Sequence, residues 1–343
     1  MKNETLAFIY SGRQQRRRRF AAVTILLGLL TAGLCCAMLL LGNTLYPVAT
    51  VIEALRGETI KGATFAVKTI RLPRMCAGLF AGFSFGIAGS VFQTMLRNPL
   101  ANPNIIGITS GSSAGAVFCI VLLHTNAATV YFASIASGLA AALVMFLLVN
   151  GGKFSNARLI LVGIGVQAML SAVVNYVLLK GSERDIPTAM RWLSGSLNGT
   201  WMTELYPLFI GVWTLTPVVL IYTKRLSMLE LGEEAAATMG VNTSKTRAAL
   251  MIGAVLLSSM ATAATGPIAF VSFLAGPIAK RLVGYGNTNP LPAGLFGAAL
   301  TLAADLLGQF AFETRFPVGV ITGLLGAPYL ILLLIRMNRT GAF

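Results

Sequence analysis

The chain has 343 residues, 56% of them hydrophobic and only 11% charged, and its mean hydropathy is +0.77. That balance excludes an ordinary soluble domain and implies many membrane spans, each needing about 20 apolar residues to cross the hydrocarbon core. The formal net charge of +15 does not call for nucleic acid, because basic residues concentrate in the cytoplasmic loops of polytopic proteins.

In chain order, Arg13 and the run Arg16 to Arg19 precede an apolar stretch that has no convincing small-residue cleavage site. Residues 1–19 therefore read as a retained basic cytoplasmic segment, not a cleaved signal. Hydropathy predicts ten spans, near 20–42, 65–92, 104–123, 128–150, 156–180, 205–223, 247–265, 267–279, 290–311 and 317–336. The eighth is too short to cross without help. Basic residues then gather in the terminal segments and in the loops 151–158, 224–247 and 280–289. All of these are cytoplasmic if both termini are, as the positive-inside rule requires. The expected architecture is an all-α polytopic membrane protein, one transmembrane domain over 1–343 with no soluble domain.

Arg71 and Arg74 stand at the outer start of the second span, against the charge trend. Three residues apart, they share a helix face, and Pro73 between them favours a helix start. They read either as lipid-phosphate snorkels or as cationic posts for an acidic extracellular partner. Gly78, Gly82 and Gly86 in the second span, Gly107, Gly111 and Gly115 in the third and Gly319 and Gly323 in the tenth recur every four residues. Such faces let helices approach closely in lipid. Asn98-Pro99 and Asn102-Pro103 force a turn between the second and third spans. Cys35, Cys36, Cys76 and Cys119 lie in apolar stretches and read as small buried hydrophobes. No Cys/His spacing fits a metal site, and His124 is the only histidine.

The stretch 224–247 is dense in capping residues. Ser227 and Glu230 have capping-box spacing, Gly232 can close a first short helix, and Glu233 and Glu234 open a second at the positive end of its dipole. Gly240 closes that one, with Thr243 or Ser244 capping the next helix. Met228, Leu229, Leu231 and Met239 are expected on the outside, where water alone does not favour them. The stretch reads as a knob that docks a soluble partner, in preference to a solvated loop. Asp305 is the one acidic residue predicted inside a span. It is either a proton-relay carboxylate or one satisfied by neighbours such as Gln309, and the second reading is preferred. No phosphate loop and no nucleophile–base cluster occurs, so no catalytic residue is assigned and ATP hydrolysis by the chain itself is not expected.

Several runs resemble the FecCD permease family of ABC importers for ferric siderophores, haem and cobalamin. They are Arg71-Leu72-Pro73-Arg74, the run AGFSFGIAGSVFQTMLRNPLANPNIIGITSG from Ala81, and Glu234-Ala235-Ala236 with Gly240 in the knob. GPIAFVSFLAGPIAKRLVG from Gly266 and FPVGVITGLLGAPYLILLL from Phe316 complete the match. The runs from Arg158 and Trp192 look most like ferric enterobactin permease subunits.

The resemblance implies a ten-helix type II importer permease of the bacterial inner membrane. It would pair with a homologous subunit, more readily a paralogue than a copy, and carry two ATPase subunits holding ATP and Mg. It implies that residues 227–240 form the ATPase-coupling loop, and that Arg71 and Arg74 meet glutamates of an extracytoplasmic siderophore-binding protein. Arg315 is added to these only by proximity. The family's Pro-His-Ile is Gly276-Pro277-Ile278 here, so the role of that histidine does not transfer. An ion-coupled secondary carrier using Asp305 and a haem or cobalamin importer are the alternatives.

Overall fold

The computed structural model describes the backbone of residues 2–149, 156–284 and 290–339, and their side chains except those of residues 2–9, 156, 157, 233 and 337–339. Parts of the basic segment 1–19 and of the loops 151–158 and 280–289, and the Glu233 side chain, lie outside this set.

Among the described residues every regular element is helical. Helix α1 (Lys2–Leu40) is followed by the short α2 (Val48–Arg56). A continuous helix then contains α3 (Ala63–Phe65), a π-helical turn (Ala66–Arg71) and α4 (Leu72–Met95). After a 3-10 turn at Pro103–Ile106 come α5 (Ile108–Val121), α6 (Ala127–Val149), α7 (Asn156–Leu179) and the short α8 (Asp185–Leu193). The second half holds α9 (Met202–Ile221), α10 (Thr223–Glu230), α11 (Glu233–Thr238) and α12 (Thr243–Thr265). It ends with α13 (Val271–Val283), α14 (Pro290–Phe310) and α15 (Val318–Arg339).

Among the described residues eight helices are long and apolar enough to cross a membrane. With the shorter α5 and α13, they occupy the ten predicted places. The first span is the second half of one uninterrupted helix, so the basic segment continues α1 and is not a separate arm. The eighth begins at Val271, later than expected. Pro267 biases the preceding Gly266 away from helical angles, and Phe270 adopts φ +64, a left-handed conformation costly for a bulky residue. The 13 residues of α13 span about 20 Å, short of the roughly 30 Å hydrocarbon core. Two short helices, α2 and α8, escape the hydropathy reading because neither is long enough to register as a span.

Helix α4 is the central post, buried along most of its length and packed against α14, α12 and α13. Lipid is as apolar as leucine, so burying leucine gives no hydrophobic drive for helices to associate; close backbone approach supplies contacts instead. The small-residue face does this. A Cβ on Gly86 would fall on the Ala293 carbonyl, and one on Gly297 would fall on the Gly82 carbonyl. In α5, Gly111 and Gly115 pack against α6 in the same way, whereas Gly107 has φ +74 and caps the helix. Gly319 meets the Ser194 carbonyl, but Gly323 has open space around it. The Asn-Pro turns form as expected: Asn98 Oδ1 accepts from Leu100 N (2.8 Å) and Asn102 Oδ1 from Ile105 N (3.2 Å).

Candidate functional site

At one end of the bundle α10, α11 and the start of α12 form the knob. Its outline is as read from the sequence, but its caps differ. The chain passes from α9 through Tyr222, which keeps near-helical angles of −80° and −2°, directly into α10 at Thr223. Ser227 is therefore inside a helix, and its hydroxyl donates back to the Thr223 carbonyl (3.2 Å). Glu230 does not complete a capping box: its carboxylate receives Lys280 Nζ at 2.5 Å, tying the knob to the last turn of α13. Gly232 has positive φ (+123), but its ψ of 156° makes it an extended lead-in to α11 rather than a left-handed stop. Gly240 is the left-handed stop (φ +81), with Val241 N donating to the Ala236 carbonyl (3.0 Å). The cap of α12 is Asn242, whose Oδ1 accepts from Lys245 N (3.0 Å), not Thr243 or Ser244.

The apolar residues of the knob divide into two sets. Leu229, expected outside, is buried with Leu226 and Ala236, and α10 packs on the near end of α4. Leu231 and Met239 are exposed, with Glu234 beside them, and Ala235 is half-buried. The knob thus has a root in α4 and an apolar face turned outward. Near its root Arg19 of α1 donates to the carbonyls of Leu282 (2.9 Å) and Arg281 (3.1 Å), placing a cation at the end of α13 where orphan acceptors favour it.

At the opposite end the same central helix carries the two arginines, and neither is a free post. Pro73 has no N–H for the helical ladder, and just before it Leu72 N donates five residues back to Val67, closing the π-helical turn. Arg71 follows from that turn. It is 9% exposed, and its guanidinium donates to the carbonyls of Leu39 and Leu40 (both 2.9 Å) and Thr44 (2.6 Å). It also lies over the Tyr46 ring at 5.0 Å. It caps the free carbonyls ending α1, and Gly42 has no Cβ because the guanidinium occupies that place.

Arg74 makes a two-pronged pair with Asp305 of α14, Nε to Oδ2 and Nη2 to Oδ1, both 2.8 Å. Asp305 is 1% exposed and also receives Gln309 Nε2 (2.7 Å). Its oxygens are filled, which suits the satisfied-carboxylate reading and leaves little for a proton relay; the Gln309 partner is as expected and the Arg74 partner is not. Arg74 Nη1 reaches Asn198 Oδ1 at 3.5 Å. The loop bearing Asn198 is bonded to two more helices, Ser196 N to the Thr265 carbonyl (2.8 Å) and Gly319 N to the Gly195 carbonyl (3.1 Å). Arg315 is exposed and donates to Asn43 Oδ1 across the same end.

One helix therefore runs from the floor of the knob to a buried arginine network at the far end. Among the described residues no group of acids, histidines and cysteines could hold a metal ion. Among the described residues neither end is arranged for covalent chemistry; the arrangement suits mechanical transmission.

Comparison with known proteins gives this geometry a context. The sequence profile of the FecCD transport family matches residues 29–336. The ferric enterobactin transport system permease protein FepG of Escherichia coli K12 is 35% identical over 299 residues, covering 87% of this chain and 91% of that protein. The permease protein FepD of the same organism and transport system is 33% identical, covering 89% and 92%. The cobalamin import permease BtuC of Halobacterium salinarum is 35% identical, covering 85% and 80%. Among solved structures, an inward-facing conformation of a metal-chelate type ABC transporter superposes with a TM-score of 0.80 at 27% identity, covering 92% of this chain and 99% of that one.

Proposed function

We propose a specific task for this chain, which belongs to the FecCD transport family: it carries a ferric catecholate siderophore across the bacterial inner membrane. At the family level it is the permease subunit of an ABC importer for iron–siderophore or cobalamin type substrates and not an enzyme. The observation that carries the finer reading is the likeness, over most of the chain, to two permease proteins named for ferric enterobactin.

Two distinct relatives belonging to one transport system also support pairing with a paralogous subunit in preference to a copy. On this reading the knob end faces the cytoplasm and seats in an ATPase subunit, with both termini on that side. The far end faces the extracytoplasmic binding protein. There Arg315 is an exposed cation, while Arg71 and Arg74 hold the docking surface in shape from within. ATP-driven closure of the ATPases would push on Leu231 and Met239, and α4 would carry the displacement to the arginine network.

The substrate class is tested in proteoliposomes holding the complete importer and its binding protein. Ferric enterobactin, ferric citrate, a ferric hydroxamate and cobalamin are supplied in competition. The proposal expects the catecholate to be taken up and the other three to compete poorly; preferential uptake of any of those three overturns it.

A further inference from the structure

The far end of the bundle contains a cavity of about 730 Å³ that the transport cycle above does not use. It lies within this one chain, among the ends of α5, α7 and α12, the starts of α6 and α9, and the helix α8. Its wall carries Arg184 and Arg191, the indoles of Trp192 and Trp201, and Tyr131. Neither guanidinium makes a hydrogen bond or ion pair among the described residues, and both side chains are exposed.

Two acids also line the wall. Asp185 accepts from the Ser182 hydroxyl at 2.5 Å and faces His124 Nδ1 at 3.5 Å; first the serine and then the His124 ring hold its carboxyl below its ordinary pKa. Glu204 accepts from Trp201 N at 3.3 Å. Both carboxylates keep their charge, and that of Glu204 is felt at Tyr131, but neither pairs with an arginine, so the two guanidiniums are the cations of the wall left open to a ligand. Tyr131 adds a second, independent sign: it is 4% exposed, and its buried hydroxyl has no hydrogen-bond partner among the described residues. A buried polar group without a partner is costly, and native structures retain few of them.

We propose that this cavity is a binding site for an aromatic organic anion, a ring bearing a carboxylate or phenolate. The arginines would take the anionic oxygens, the indoles would stack on the ring, and the Tyr131 hydroxyl would find its partner in a ring hydroxyl. As a subsite for cargo the proposal rests on the catecholate-importer reading, but binding is measured without transport.

The test is equilibrium dialysis of radiolabelled 2,3-dihydroxybenzoate against the full-length chain in zwitterionic lipid nanodiscs. One saturable site per chain is expected. Arg184→Gln and Arg191→Gln should each weaken it by about tenfold, the scale of one charge-assisted hydrogen bond. Tyr131→Phe should weaken 2,3-dihydroxybenzoate several-fold and leave benzoate unchanged. In the ligand-free protein the same change should raise the melting temperature, because it removes the unpartnered hydroxyl; a purely structural tyrosine would lower it. Absence of saturable binding, indifference to both arginine substitutions, or equal binding of cyclohexanecarboxylate overturns the site. Binding in an importer that refuses ferric catecholates keeps the site and discards the cargo reading, whereas uptake without binding discards the site alone.

Discussion

At the scale of single residues, the pair Arg74–Asp305 is where charge is most deeply committed. A buried ion pair gives weak net stabilisation against an apolar replacement, yet removing one partner strands the other and costs about 3–5 kcal/mol. Arg74→Met and Asp305→Leu alone should each destabilise the protein on that scale. The double substitution should cost less than either, and unfolding in detergent measures all three. Additive losses would mean that the two side chains do not act as a pair. This pairing is not legible in the sequence. The partners are 231 positions apart, and nothing local to Arg74 points to α14. Gln309 is legible as a partner of Asp305 because four residues bring two side chains together on any helix. The buried role of Arg71 is hidden for a related reason: its ligands are backbone carbonyls at the end of α1, and carbonyls leave no trace in composition.

At the scale of elements, the knob shows which local signals survive folding. Gly240 is readable because its role is backbone conformation, and φ +81 is what such a stop requires. The Ser227–Glu230 spacing misleads because α9 turns into α10 without uncoiling, so no start signal is needed there. Glu230 is then free to pair with Lys280 of α13, again far away in sequence. The glycine faces of α4 and α5 are legible because the four-residue period is a property of the helix itself. Gly240 has open space where a side chain would go, so Gly240→Val should cost only local backbone strain, about 1–2 kcal/mol. Leu231→Asp with Met239→Asp should change the outward face and leave the buried root at Leu226 and Leu229 intact. Both variants should insert and keep the fold of the bundle, Gly240→Val melting lower only by its local strain, and both should fail to retain ATPase subunits on purification. Full ATPase retention by the Leu231/Met239 variant would show that the partner sits elsewhere.

At the scale of the whole molecule, the ten predicted crossings all find helices, because a long apolar run is the strongest structural signal a sequence carries. The order of packing is not legible. Apolar helices look alike in composition, and only glycine spacing marks α4 as a close-packed one. What α4 adds is continuity: its near end floors the knob, its centre packs on α14, and its far end holds both arginines. A displacement at either end must therefore move a shared rigid element. The central claim is that this motion, powered by ATP on a partner, drives import. The most direct measurement is uptake of a labelled ferric catecholate into proteoliposomes that contain this chain, its partner permease, the ATPase subunits and the binding protein, with no ion gradient. The account predicts uptake that requires ATP and is lost with Leu231→Asp and Met239→Asp. Uptake by this chain alone, driven by a proton or sodium gradient and abolished by Asp305→Asn, would contradict it.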